Sequence, residues 1–316
     1  MRTIFRKELA DNFNSFRFLI LLLLAILVSA ATLYADYKGI RASAGSELIF
    51  LRLYTTQTAD VPQLFSFMNF MALFFIPVIG IALGFDAIVG ERASGTLGRI
   101  LSQPIYRDSV INAKFLAGLV TLSVMVATTM LLIAGFGLRL IGVPPTQEEV
   151  YRLFLYGFFT IGYGAFWMGM AILFSVVFRH TATSLLSSVA LWLFFGFFYI
   201  FLIAPSIANV LAPTSAGTVE AAINNISTQQ ALLRFSPNYV FLEVSNVLLQ
   251  PPLAGSLMGI IGIIASGLAS WMIPTPLSLG QTLLLVWPHL ATILGLTIVS
   301  FGVSYLIFMR QEIRST

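Results

Sequence analysis

Residues 115–138 pass without one charged side chain, and so do 18–35, 61–85, 153–178 and 181–219. Such runs fall in or above the roughly 17–25 residues that carry a helix across the hydrocarbon of a bilayer. In lipid a run of this kind has one secondary structure open to it. No water is present to satisfy N–H and C=O groups, so the backbone closes its own hydrogen bonds as a helix. The short alternating segments that mark a membrane barrel do not occur. The composition agrees: the chain is 58% hydrophobic and 9% charged over 316 residues, outside the range of a soluble domain. The sequence therefore predicts an all-α polytopic membrane protein.

Six spans are expected, at about 16–34, 64–85, 115–138, 153–178, 181–204 and 283–309, within one membrane domain covering 1–316. Region 205–281 is the ambiguous part. It starts polar and then carries a milder apolar stretch, 253–273, nearly long enough to cross. Cationic residues concentrate on the inner side of membrane proteins. With six spans and both termini inside, 11 of the 17 Lys and Arg residues flank the inner face and 6 the outer. A seventh span would carry Arg310 and Arg314 outside and leave 9 against 8. Six is favoured, and 253–273 becomes a re-entrant or interfacial outer segment. Ahead of the first span, Ile4, Phe5, Leu9, Phe13 and Phe16 share a face, which predicts an amphipathic helix on the inner membrane surface. The apolar run that follows is too long to read as a cleavable signal. Pro77 predicts a kink in the second span. Gly80 and Gly84 form a GxxxG step for close helix packing, within one subunit or between two.

Between the second and third spans lies a polar insert, 86–114, reading DAIVGERASGTLGRILSQPIYRDSVINAK. Gly90 is read as ending the second span. A short helix then starts at Glu91, whose charge suits a helix N-terminus. Leu97, Ile100 and Leu101 share one face, Arg92 and Arg99 another. Pro104 stops the helix, and Asp108 falls in the first turn of the next one.

This insert resembles the cytoplasmic loop of ATP-binding-cassette type-2 exporter permeases, with its pattern GEr-x-x-GTl … P-x-x-R … K. The matching residues are Gly90, Glu91, Arg92, Gly95, Thr96, Leu97, Pro104, Arg107 and Lys114. Within that group the chain is similar to the NosY-like branch, described as serving multicopper-enzyme maturation. The resemblance implies a coupling helix, between spans two and three, that meets a cytoplasmic ATPase subunit. Glu91, Arg92, Gly95, Thr96, Leu97, Arg99, Leu101 and Arg107 are its candidate contact residues. Arg92 and Arg99 would pair with acidic groups of the ATPase, and Leu97 and Leu101 would fill its pocket. It further implies an N-terminal connecting helix, re-entrant helices before the last span, and a second permease chain as homo- or heterodimer. ATP and Mg would sit on the partner, with no cofactor in this chain. The expected location is the cytoplasmic membrane, with both termini inside.

The chemistry missing from the sequence points the same way. It has no GxxxxGK[ST] phosphate loop, no HExxH and no GxSxG. No predicted span carries an Asp, Glu, Lys or Arg in its interior, as ion-coupled carriers do. Basic residues are scattered beside spans rather than gathered into a nucleic-acid patch. With no Cys and two His, direct metal handling is disfavoured. Met168 and Met170 read as core, and His289 as an interfacial belt residue. Ser123, Thr128, Thr129, Thr160 and Ser175 read as hydroxyls bonding their own backbone one turn back. The energy source is then a separate ATPase, and the chain is a permease subunit rather than an enzyme. Two alternatives stay open. One is a mechanical transducer that relays ATPase motion to an extracytoplasmic partner through 205–281. The other is an ion-coupled carrier or intramembrane enzyme.

Overall fold

The computed structural model describes residues 1–35, 48–55, 67–97, 106–142, 144–214, 218–249 and 277–311. The stretch 253–273, Arg99, Ile100, Leu101 and Pro104 lie outside the described residues. Helices and turns make up the rest, with no strand among the described residues. In chain order the helices are α1 (Arg2–Asn14), α2 (Phe16–Ala35), α3 (Ile49–Thr55), α4 (Phe67–Ala93) and α5 (Arg107–Ile141). They continue as α6 (Gln147–Val177), α7 (Thr181–Leu211), α8 (Val219–Leu233), α9 (Pro237–Leu249) and α10 (Leu279–Arg310). Helices α4, α5, α6, α7 and α10 are long and apolar enough to cross a membrane. The α1–α2 pair, bent by 55°, makes a sixth if counted as one span.

The bend falls at Ser15, which turns extended and accepts the Phe18 N–H at its hydroxyl, capping α2. This break separates Phe16 from the apolar face of α1. Ile4, Phe5, Leu9 and Phe13 are half-buried, whereas Phe16 is 81% exposed.

Helix α6 is the axis of the bundle, packed by α4, α5, α9 and α10. Its contact with α4 is made at Gly80 and Gly84, where the two backbones meet without side chains between them. The core around it is aromatic: Tyr163 stacks on Phe241 at 4.4 Å, edge-on to Trp167. Met168 is fully buried and Met170 packs against the same core.

Pro77 acts through hydrogen bonds. A proline at 77 has no N–H for the carbonyl of residue 73. Upstream, Met71–Phe75 widens into a π-helical turn, and Trp192 Nε1 donates to Leu73 O at 2.8 Å. Tyr163 Oη donates to the neighbouring Ala72 O at 2.8 Å. A second π segment, Phe194–Ile203, runs up to Ala204 and Pro205. Phe74 and Phe197 join the two, with ring centroids 5.2 Å apart.

At the helix ends away from the 86–97 segment, α6 starts earlier than the sequence suggested. A Thr146–Glu149 capping box opens it, so Arg152 is a fully buried helical residue, not part of an outer loop. Its guanidinium donates to Glu148, to Thr282 Oγ1 at 3.1 Å and to the Leu277 carbonyl. Glu149 accepts the Phe50 N–H at 2.7 Å. Buried polar groups of this kind are affordable only when partnered, and these partners fasten α3 and α10 to the start of α6.

Candidate coupling site

The polar segment after the second long helix is fixed by two serines from other helices. The chain leaves regular helix in a turn over residues 85–88, then winds once more as Val89–Ala93. Ser184 Oγ donates to Phe85 O at 2.7 Å. Ser175 Oγ accepts from both Ile88 N and Val89 N, at 2.9 and 3.0 Å. Ser175 is therefore not a self-bonded hydroxyl, as its sequence context suggested. Ser123, Thr129 and Thr160 do bond back one turn, to Leu119 O, Met125 O and Tyr156 O. Gly90 is likewise not the terminator. It is helical, and the turn ends at Ser94 and Gly95, where φ is +69° and a side chain would be strained.

The charged residues of this segment reach three other parts of the chain. Lys114, on the first turns of α5, is 7% exposed and lies between two carboxylates. Its ammonium is 2.7 Å from Glu91 Oε1 and 2.9 Å from Glu8 Oε2 on α1. Arg92 donates to the Gln311 Oε1 at 2.7 Å and to Phe178 O at 3.3 Å. Arg107 donates to the Gln311 carbonyl at 3.1 Å, and Gln311 Nε2 donates to Val176 O at 2.9 Å. Arg17 pairs with Asp86 and lies over the Phe85 ring. The segment is thus joined to α1, to the α6–α7 turn and to the end of α10.

Leu97 is 1% exposed, packed in a small apolar cluster with Ile88, Ile111, Ile172, Val176 and Phe308 of the same chain. Thr96 donates to Glu91 O at 3.3 Å. What the segment leaves exposed is its tip, Ala93, Ser94 and Gly95. Of the predicted contact residues, Glu91, Arg92, Thr96, Leu97 and Arg107 are brought together by contacts within the chain. Arg99 and Leu101 lie outside the described residues. Glu8 and Gln311 were missed by sequence reasoning, and Ser175 was read as bonding its own backbone. The signal for Glu8 was Lys114 itself: an ammonium at the mouth of a span needs a counter-charge close by.

This arrangement holds segments in register and has no nucleophile paired with a base. Among the described residues no three His, Asp or Glu side chains converge as metal ligands. The sequence pattern of the family described as "ABC-2 family transporter protein" matches residues 2–313. The chain belongs to the ABC-2 transporter family. The permease is also similar to two curated relatives, each called "Probable ABC transporter permease protein NosY". The one from Pseudomonas aeruginosa is 32% identical over 205 residues, 61% of this chain. The one from Stutzerimonas stutzeri is 30% identical over 145 residues, 46% of this chain. The permease spans 66% and 46% of the lengths of these two relatives.

At the far end of the permease, His289 is more than a belt residue. Its Nε2 lies 3.0 Å from Glu243 Oε2 on α9, and its Nδ1 lies 3.1 Å from Leu285 O. Arg234 reaches the same carboxylate through two nitrogens, at 2.6 and 3.0 Å. Burial acts to raise the Glu243 carboxyl, but hydrogen bonds and charge from His289 and Arg234 outweigh it and hold the group at about 2. A carboxyl lowered on folding adds stability above its unfolded range, and that stability is lost as pH falls toward the folded value. Glu243→Gln should therefore lower the melting temperature at pH 7, by about 1–2 kcal/mol of stability. The gap to the unaltered chain should hold down to the carboxyl's ordinary 4.5 and narrow only below it. Melts in detergent between pH 8 and pH 3 check this. A gap that closes already by pH 6 would show that the carboxylate is not what the cluster relies on.

Proposed function

We propose that the permease is the membrane subunit of an ATP-driven exporter, powered by a separate cytoplasmic ATPase subunit that holds ATP and Mg. In this reading α2, α4, α5, α6, α7 and α10 are six spans, α1 lies in the inner interface, and both termini face the cytoplasm of an inner-membrane protein. Two permease chains pair with two ATPases. The observation that carries the reading is the division of the 86–97 segment into an exposed tip and a tethered base. The tip, Ala93 to Gly95, is open to a partner. The base holds α1 through Lys114 and α10 through Arg92 and Gln311. A push on the tip is passed to α1, α5 and α10 at once. Glu91, Arg92 and Arg107 then act as transmission, while the tip, with Arg99 and Leu101, makes the contact.

The test is co-expression of Ser94→Cys permease with its neighbouring ATPase carrying single surface cysteines. Crosslinking at Ser94, in yields that change when ATP is added, is the expected result. A tip that never crosslinks, in a chain that purifies without any ATPase, would sink the coupling reading. Arg92→Glu, which sets a carboxylate against the Gln311 and Phe178 oxygens, should keep the crosslink and reduce transport-coupled ATPase activity by about tenfold or more, through the loss of both Arg92 charge-assisted hydrogen bonds in the relay.

A transducer version, with no solute carried, has one observation in its favour. Helix α8 is clasped to the end of α7 by Asn225, which donates to Asn209 Oδ1 and Ala212 O, and by Tyr199 Oη to Leu232 O. That hairpin is a built platform on the far side. A soluble protein that co-purifies only while α8 is intact would favour this version over export of a solute.

A further inference from the structure

We propose that the cleft beside the coupling segment binds one membrane phospholipid with a primary-amine headgroup, phosphatidylethanolamine. The cleft has a volume of about 390 Å³ and lies between α1, the α1–α2 bend, α4 and α5. Its floor is charged: Glu8, Asp11, Asp86 and Glu91 against Arg17 and Lys114. Its walls are apolar, formed by Phe18, Leu21, Leu83 and Met125. Met125 lies eleven residues beyond Lys114 on α5, about 16 Å along the helix axis. A charged floor under a long apolar wall fits an amphiphile, with the headgroup below and a chain running up between α2 and α5. A docked protein loop would have no use for the upper wall.

The unfilled hydrogen-bonding positions choose the headgroup. Lys114 is committed to Glu8 and Glu91, but Glu91 Oε2 is buried with no partner among the described residues. Asp11 is 62% exposed and, among the described residues, pairs with Lys7 at 3.7 Å. The exposed Asp11 carboxylate is the free acceptor for an ammonium. Arg17 gives one nitrogen to Asp86 and remains 54% exposed, with donors left for a phosphate. A phosphate joined to a primary ammonium answers both. A choline headgroup has no N–H to donate. A glycerol headgroup brings an uncompensated negative charge to a floor that holds four carboxylates and two cations. The proposal rests on this end of the helices lying in the headgroup layer, and not on the coupling role of the segment.

The experiment is native mass spectrometry of the full chain in mild detergent, titrated with dioleoyl phosphatidylethanolamine, phosphatidylcholine or phosphatidylglycerol. One ethanolamine lipid should be retained at a concentration about tenfold lower than either of the others, the difference made by one charge-assisted hydrogen bond. Asp11→Asn, at an exposed position, should weaken retention of that lipid severalfold without changing the other two. Ala82→Trp, which fills the cleft wall, should abolish the preference. Equal retention of all three lipids, a preference for the glycerol lipid, or unchanged binding by Asp11→Asn would each overturn the proposal. Displacement of the bound lipid by a stoichiometric ATPase subunit would overturn it too, by assigning the cleft to protein. No nucleotide or transport activity enters the lipid titration, so its failure leaves the coupling reading standing.

Discussion

Lys114→Met should destabilise the permease more than the loss of any other single charge at the coupling end. The ammonium is 7% exposed, and the carboxylates on either side, Glu8 and Glu91, are 15% and 14% exposed. Removing it leaves two negative groups facing each other across a gap shaped for a cation. Breaking a buried ion pair from one side costs about 3–5 kcal/mol, because the remaining charge has lost its partner but not its burial. For a chain of this size that is on the order of 10 °C in melting temperature. The triple variant Glu8→Gln, Glu91→Gln and Lys114→Met removes all three charges together and should recover most of the loss, since neutral replacement of a buried ionic group is often tolerated. Melts of both variants in the same detergent decide it. A single variant within about 2 °C of the parent, or a triple variant no better than the single, would mean the charges are solvated and the α1 tether is weak.

The helices were legible because their cause is local. An uncharged run in lipid has only one way to satisfy its backbone, so each of the long helices α4, α5, α6, α7 and α10 overlaps a run visible in the sequence. Ends were harder to read. Gly90 looked like a terminator, yet the turn closes at Gly95, because Ser175 takes up the N–H groups of Ile88 and Val89 and carries the helix on past Gly90. Arg152 looked like a loop residue, yet Glu148 and the Leu277 carbonyl let it be buried. Glu148 is one helical turn from Arg152, but Ser175 and Leu277 are distant in sequence, and periodicity does not report on such packing. The same holds at the coupling site. Glu91, Arg92 and Arg107 stand out by their pattern, but that pattern says nothing of Glu8 or Gln311, which lie 83 and 219 positions away from Glu91 and Arg92 respectively. Leu97 shows the sharper limit: an apolar residue on a polar insert reads equally well as a contact for a partner or as core, and here Phe308 and Ile111 cover it.

Gly84→Leu, and to a similar degree Gly80→Leu, should block folding of the bundle. A Cβ at Gly80 would lie 2.7 Å from Gly164 O and 2.9 Å from Trp167 Cβ. At Gly84 it would lie 2.6 Å from Met168 O and 2.8 Å from Ala171 Cβ. The obstructing atoms are backbone and Cβ, so no rotamer change relieves them, and α4 would have to move off α6. Even Gly84→Ala should cost about 1–3 kcal/mol as overpacking, although alanine is the better helix former by about 1 kcal/mol. The sign of the effect therefore separates packing from propensity. Gly135 on α5 and Gly302 on α10 have nothing among the described residues within 4 Å of a built Cβ, so alanine there should be neutral or mildly stabilising. Size-exclusion profiles and melts of the four alanine variants, with the two leucine variants for expression, make the comparison. If Gly80 and Gly84 served instead as a contact between two copies of the chain, their alanine variants would change the oligomer and leave the monomer's melt intact. That outcome would move the role of this glycine pair from inside the bundle to its surface.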